Sequence, residues 1–285
     1  MPELPEVETV RRTLEAAVRG KHIASVRLYR ADVVRGSDTL LAGERIDRVE
    51  RKGKQLALIS EGGRQSGAAC RCVCVHLGMS GSLRVVHRSD SDATSDKHVH
   101  VVWELPDGMQ VLFRDPRRFG GVWGFADEAE LLETRWKKLG PDALLITPKQ
   151  LHTGLSRTKR ALKAALLDQH LVAGLGNIYV DELLYATKLH PLKPASEVAR
   201  PESQRLVRTT RRILSRAIKA GGSTLRDYVD AQGQSGGFQT QHKVYSRGGE
   251  PCPSCGKPLD TMVVAGRTTT ACDRCQLGAI LSGER

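Results

Sequence analysis

The spacing of apolar residues changes along the chain, and each change predicts a different kind of element. Near the start, Val7, Val10, Leu14 and Val18 recur at the three-to-four-residue interval of one helical face, Pro5 suits a first helical position, and Gly20 is placed to end the helix. From about Ile23 to Phe125 the apolar residues come instead in short β-branched runs. Val26 and Leu28 alternate with Arg27 and Tyr29, Leu56 and Leu58 follow a basic turn, and Val101 to Leu105 and Met109 to Phe113 flank the hairpin signal Pro106-Asp107-Gly108. Many short strands without intervening helices predict an antiparallel sandwich or barrel. Asp127 to Leu139 reads as a helix closed by Gly140-Pro141-Asp142, where a domain boundary is expected. Beyond Pro148 the helical interval returns, in Leu162, Ala165 and Leu166, then Ile178, Leu183 and Leu184, then Leu206, Ile213, Leu214 and Ile218.

Three stretches break these patterns. The polar run 88–97 reads as a flexible hairpin loop. Residues 221–241 are rich in Gly, Ser and Gln and read as a mobile loop; composition leaves open whether it closes over a substrate or is simply disordered. The last stretch holds Cys252, Cys255, Cys272 and Cys275 in the spacing C-x2-C-x16-C-x2-C, which favours a four-cysteine zinc site over disulfides, with a two-stranded zinc ribbon as the simplest fold. Cys70, Cys72 and Cys74 instead alternate along an apolar segment. They are expected on one face of a strand as small buried hydrophobes.

Charge narrows the class of partner. The 285 residues suffice for two domains, and a net charge of +12 with a pI near 9.6 favours a polyanion, nucleic acid before membrane, because no amphipathic lipid-binding stretch accompanies the charge. There is no apolar run long enough to span a bilayer, and the acidic N-terminus does not resemble a signal peptide, so an intracellular protein is expected.

The candidate chemistry begins at Met1-Pro2-Glu3-Leu4-Pro5-Glu6. Removal of Met1 before the small proline is expected to leave Pro2 with a free secondary amine. An α-amino group titrates roughly two to three units below lysine, so far more of it is nucleophilic near neutrality. Attack on a sugar aldehyde carbon gives a cationic iminium ion, an electron sink for elimination at a sugar. Glu3 and Glu6 lie within a helical turn, close enough to exchange protons with a substrate. The plain alternative is a helix start with favourable acidic residues.

Elsewhere Arg51-Lys52-Gly53-Lys54 concentrates charge at a turn and reads either as a phosphate-facing site at Lys54 or as a solvated hairpin tip. In His76-Leu77-Gly78-Met79-Ser80-Gly81, Met79 is either a wedge between bases or a core residue. In Asp115-Pro116-Arg117-Arg118-Phe119-Gly120, two arginines beside an aromatic suit insertion into a duplex, with a buried Phe119 as the alternative. Asn177 follows Gly174-Leu175-Gly176 where a helix starts, so its amide and the free N–H groups suit a phosphate, unless the segment is a plain helix joint. Arg267 lies in the hairpin between the cysteine pairs, where a metal would present it to DNA.

Taken together, Pro2-Glu3-Leu4-Pro5-Glu6-Val7, Gly53-Lys54, His76 to Gly81, Asp115 to Gly120, Asp168 to Glu182 and the cysteine pairs closing in Cys275-Gln276 resemble the bacterial formamidopyrimidine-DNA glycosylase family, essentially end to end. The resemblance implies an α+β protein in which a β-sandwich domain with flanking helices (1–140) is followed by a helix-two-turn-helix module with a lesion-capping loop (141–240) and a zinc ribbon (241–285). It implies a bifunctional glycosylase and lyase of base excision repair that flips oxidised purines, 8-oxoguanine and formamidopyrimidines, out of duplex DNA and then cleaves the strand by β,δ-elimination.

By resemblance Pro2 is the Schiff-base nucleophile, Glu3 the general acid/base, Glu6 a supporting carboxylate, Lys54 a proton donor and phosphate ligand, and Arg267 the finger arginine of the δ-elimination step. Met79, Arg117 and Phe119 are implied to fill the gap left by the flipped base; His76, His98, Lys159, Lys163 and Asn177 are implied DNA contacts. One structural zinc, damaged double-stranded DNA as partner, no membrane, a monomeric state and a cytoplasmic, nucleoid-associated setting complete the expectation. Two other readings are an endonuclease VIII-type glycosylase for oxidised pyrimidines and a catalytically silent damage-binding zinc protein. Leu4, the Met-Arg-Phe set and the long glycine-rich segment favour the purine enzyme over the first; Pro2 with Lys54 disfavours the second.

Overall fold

The computed structural model describes residues 2–36, 40–62, 71–90, 93 and 95–276. Met1, Cys70 and part of the 88–97 loop lie outside the described residues, and with them the expectations placed there. The chain divides into two compact units: Met1–Lys138 with Ile218–Gln239, and Leu139–Ala217 with Thr240–Arg285.

The first unit starts with helix α1, Leu4–Val18, whose apolar face, Val7, Val10, Leu14 and Val18, is at most 1% exposed. Burial of each such side chain stabilises the fold by about 1.5–3 kcal/mol. Gly20 follows the helix in the left-handed region at φ +74°, and its N–H bonds the carbonyl of Ile46. Strands β1 (Ser25–Leu28), β7 (Val99–Glu104), β8 (Met109–Arg114) and β6 (Ser82–His87) form one sheet in that order. The other sheet has the order β2 (Val34–Gly36), β9 (Gly121–Phe125), β5 (Cys72–His76), β4 (Gln55–Ser60) and β3 (Ile46–Lys52).

Inward-facing residues of both sheets, among them Leu56, Leu58, Val73, Val75, Trp103, Val111 and Phe113, share one core with the apolar face of α1. The expected sandwich is present, with one departure: β2 pairs with β9 in parallel. Cys72 and Cys74 are buried on the face of β5 opposite to Val73 and Val75, as alternation requires. On that side α2 covers β5 and β9. This helix is Glu128–Thr134, capped by Asp127, and a separate 3-10 turn at Trp136–Lys138 replaces the single helix expected over 127–139.

The glycine-rich segment behaves differently from its composition. Residues 221–237 are fastened to the first unit at several points: the N–H of Ser223 donates to Glu6 Oε1 at 2.7 Å, that of Ala231 to Thr13 Oγ1 at 3.1 Å, and that of Val85 to the carbonyl of Ala231 at 2.7 Å. Gly222, at φ +82°, has no room for a side chain because a Cβ there would lie 2.9 Å from Glu6 Oε1. Gly222 thus serves close approach to α1.

In the second unit, α3 (Pro148–Ser156) begins with a Thr147/Gln150 capping box and a proline in its first turn. Helices α4 (Leu162–Leu166), α5 (Asn177–Thr187) and α6 (Arg200–Lys219) follow, and β10 (Asp260–Val264) pairs with β11 (Arg267–Ala271) as an antiparallel hairpin. The hairpin packs with these helices in one unit. Glu182 on α5, 5% exposed, accepts the N–H groups of Lys243, Val244 and Tyr245, each at 2.9 Å, and so fixes the chain where it enters the finger.

Candidate active site and nucleic-acid interface

The acidic turn at the N-terminus is rigid. Glu3 caps α1, and a reciprocal capping box joins it to Glu6, whose Oε2 accepts the Glu3 N–H at 2.9 Å while Oε1 accepts Ser223. Both carboxylates are 1% exposed, and Pro2 beside them is buried. The backbone carbonyl of Glu6 also accepts the Tyr228 hydroxyl at 3.2 Å. Glu6 is therefore the joint between the proline-bearing turn and the glycine-rich segment, which gives its supporting place a structural cause.

A second carboxylate, unmarked in the sequence reading, ties this turn to Lys54. Glu8 accepts Arg12 Nε at 2.8 Å, Arg11 Nε at 3.1 Å and Arg51 Nε at 3.0 Å. Arg51 in turn donates through Nη1 to the carbonyl of Gly53 at 2.9 Å, and Gly53 makes the left-handed turn, at φ +57°, that leads to half-buried Lys54. Burial pushes the Glu8 carboxyl up, but the hydrogen bonds from Arg11, Arg12 and Arg51 outweigh it and hold it below the ordinary range. The signal was available in part: a buried-face glutamate followed by arginines three and four residues on reads as a helical ion pair, but nothing local names Arg51 as its third partner.

Asp115, fully buried, organises the wedge loops. Its carboxylate accepts Ser80 Oγ at 2.6 Å and the Gly120 N–H at 2.7 Å, while its own N–H donates to the carbonyl of His98 at 3.0 Å. The two loops approach so closely that a Cβ on Gly78 would lie 2.5 Å from Gly120 N and one on Gly120 would lie 2.4 Å from the carbonyl oxygen of His76. Held this way, Met79 and Phe119 stay 40% and 55% exposed rather than joining the core, and the Arg117 guanidinium lies over the Phe119 ring at 4.6 Å. Neither Met79 nor Phe119 is the buried core residue of the alternative reading. His98 is half-buried at the same junction. His76 is half-buried, and burial first, then the positive charges of Arg135 and Lys54, push its imidazole down to about 4, so it is a neutral donor at pH 7.

In the second unit Lys159 is exposed in the loop after α3. Lys163 is not a surface contact. It is 0% exposed, with Nζ 2.6 Å from Asp181 Oδ1 and 2.7 Å from Thr269 Oγ1, so its charge is neutralised inside the unit and cannot reach a phosphate. The sequence shows a lysine at helical spacing in a basic run; its partners are 18 and 106 positions away. Asn177 opens α5, and its Nδ2 donates to the carbonyl of Thr268 at 2.9 Å. Arg267 is exposed, immediately after the two-residue turn Ala265-Gly266, whose φ values of +50° and +68° fit a type I′ hairpin.

The Sγ atoms of Cys252, Cys255, Cys272 and Cys275 lie within 4.8 Å of one another, with Cys252 to Cys275 at 3.8 Å and Cys255 to Cys272 at 3.6 Å. Tetrahedral zinc with Zn–S bonds of about 2.3 Å needs sulfurs about 3.8 Å apart, whereas a disulfide needs about 2.05 Å. The cluster fits one structural zinc. Buried Gln276 supports it, accepting the Cys272 N–H at 2.8 Å and donating to the Leu189 carbonyl at 3.0 Å.

Carboxylates around a proline-led terminus, exposed Met79 and Phe119, and a four-cysteine cluster fitted to zinc are features that suit a zinc-containing protein that acts on DNA. The comparisons with known proteins narrow the class. Family models match as the formamidopyrimidine-DNA glycosylase N-terminal domain at residues 1–122, the formamidopyrimidine-DNA glycosylase H2TH domain at 139–229, and a zinc finger found in FPG and IleRS at 249–277. The formamidopyrimidine-DNA glycosylases of Bacillus subtilis (strain 168) and Thermus thermophilus are 41% and 42% identical to it, each over 97% of this chain and over 99% and 98% of their own lengths. The crystal structure of the MutM (FPG) protein from Thermus thermophilus superimposes with a TM-score of 0.84 at 39% identity, covering 98% of this chain and all of that one (100%). A Lactococcus lactis FPG mutant in complex with Fapy-dG-containing DNA gives 0.86 at 35% identity, covering 96% of this chain and 99% of that one. The chain belongs to the formamidopyrimidine-DNA glycosylase family.

Proposed function

We propose that this protein removes oxidised purines, 8-oxoguanine and formamidopyrimidines, from duplex DNA and then cleaves the strand. The observation that carries this reading is the N-terminal turn, where Pro2 is followed by two carboxylates locked by their own capping box. With Met1 removed, the Pro2 nitrogen attacks C1′ of the flipped nucleotide and the base leaves with the electrons of its glycosidic bond; the C1′–O4′ bond then opens, O4′ takes a proton, and the resulting cationic iminium makes the C2′ proton acidic. Glu3 is the group placed to exchange protons at the sugar. Lys54, fixed through Arg51 and Glu8, donates a proton in β-elimination, and Arg267 binds the phosphates and serves the δ-elimination. Met79, Arg117 and Phe119 fill the space of the extruded base, offsetting its unstacking cost of a few kcal/mol. His76, His98, Lys159 and Asn177 hold the backbone, and the net charge of +12 supplies the salt-dependent part of the affinity.

The Pro2→Gly variant tests this directly, since it exchanges a secondary amine for a primary one. Lesion processing is expected to fall sharply while duplex binding is retained; unchanged turnover would remove Pro2 from the mechanism.

A further inference from the structure

The most deeply buried cation in the second unit has no place in that chemistry. Lys163 on α4 and Asp181 on α5 have side chains 0% and 1% exposed and approach to 2.6 Å. A pair so desolvated adds little net stability over an apolar pair of the same volume, so its presence here calls for another account. Further bonds of the pair run to β11. Lys163 Nζ donates to Thr269 Oγ1 at 2.7 Å and to the Thr268 carbonyl at 3.4 Å, and Asp181 Oδ2 accepts the Thr270 N–H at 3.2 Å. The Thr269 hydroxyl, accepting from lysine, donates its own hydrogen bond to the backbone carbonyl of Arg267 at 3.1 Å. Asn177 adds a further bond to the Thr268 carbonyl at 2.9 Å.

We propose that the Lys163–Asp181 pair is a positioning element for Arg267: it orients the exposed arginine from inside the unit by fixing the three residues that follow it. The proposal rests on the reading of Arg267 as a phosphate contact. The turn residues Ala265 and Gly266 are exposed, and the cysteine cluster lies at the far end of the strands, beyond Ala271, so neither reaches the middle of β11 from inside the unit. A charged pair suits this task better than an apolar one. Hydrogen bonds to charged groups are directional, and they set a strand's register where packing alone tolerates slippage. Lys163 therefore acts on DNA through Arg267 rather than by touching a phosphate.

Two variants test this in the full-length, zinc-loaded protein. Thr269→Val removes the relay hydroxyl at nearly constant volume and keeps the ion pair; Lys163→Met removes the cation. Hydrogen exchange of the Thr270 amide is expected to accelerate about tenfold in Thr269→Val, with zinc content and melting temperature little changed. Affinity for a duplex carrying an abasic-site analogue is expected to fall, and a double-mutant cycle with Arg267→Ala should show that Thr269→Val costs nothing further once the arginine is gone. Lys163→Met should show the same coupling with a larger loss.

Unchanged exchange at Thr270 in both variants, or affinity losses that add to that of Arg267→Ala, would overturn the proposal. If exchange accelerates while Arg267→Ala itself leaves affinity intact, the positioning stands and the phosphate-contact reading of Arg267 falls.

Discussion

Replacing Glu8 with glutamine isolates the link between the N-terminal turn and Lys54. The substitution keeps the shape and removes the charge that three guanidinium groups share. Arg51 and Glu8 have side chains only 8% and 10% exposed, so Arg51 would lose this anionic partner in a desolvated place, while Arg12, at 58%, would turn to water. Removing one partner of a buried pair costs about 3–5 kcal/mol; the glutamine oxygen still accepts one bond, so the lower end, about 3 kcal/mol, is expected.

The loss has a pH signature. Because the Glu8 carboxyl is held below its ordinary value of 4.5 in the folded protein, the unfolded chain takes up the proton first. Its stabilisation is therefore complete above that value and disappears as pH falls through it. Urea denaturation at pH 7 and at lower pH would show a reduced midpoint and a shallower acid slope for Glu8→Gln. Single-turnover cleavage of an abasic duplex, under conditions where the variant is folded, should slow, because Arg51 no longer holds the Gly53 carbonyl. A stability change under about 0.5 kcal/mol in Glu8→Gln, or full cleavage rate in a destabilised protein, would refute the reasoning.

Two other outcomes follow from the site. His76, pushed down to about 4 from 6.5, should show no titration of its ring signals near neutrality by NMR, and its contribution makes the fold less stable as pH falls from 6.5 towards 4; being neutral at pH 7, its replacement by glutamine should leave the salt slope of DNA binding unchanged. Cys272→Ser should lower zinc content and DNA affinity together, since the same four sulfurs hold the strands that carry Arg267; full affinity in the zinc-free variant would exclude the finger from binding.

What could be read from the sequence followed local rules. The α1 stripe, the strands around Pro106-Asp107-Gly108 and the two Cys-x2-Cys pairs each declare themselves within a few residues, and the fold bears them out. The paired cysteines of β5 are buried as alternation predicts. What escaped was set by partners far away in the chain. The 221–237 segment looked mobile because glycine and serine are loop residues, yet its acceptors, Glu6 and Thr13, lie 217 and 218 positions earlier. Lys163 is implied as a DNA contact by the family resemblance, and no local sign in the sequence marks its burial; nor does anything local show that the Asp115 carboxylate joins two loops. The parallel pairing of β2 likewise has no signal in three residues.

The central claim is that Pro2 is the nucleophile on oxidised purines, and borohydride trapping tests it most directly. The purified protein would be reduced on a duplex carrying one 8-oxoguanine opposite cytosine, and in parallel on one carrying an oxidised pyrimidine, with the crosslinked peptide mapped. The account predicts a crosslink at Pro2 on the purine lesion. Trapping confined to the pyrimidine lesion would assign the protein to the endonuclease VIII type, and intact binding without any crosslink would contradict the Schiff-base mechanism.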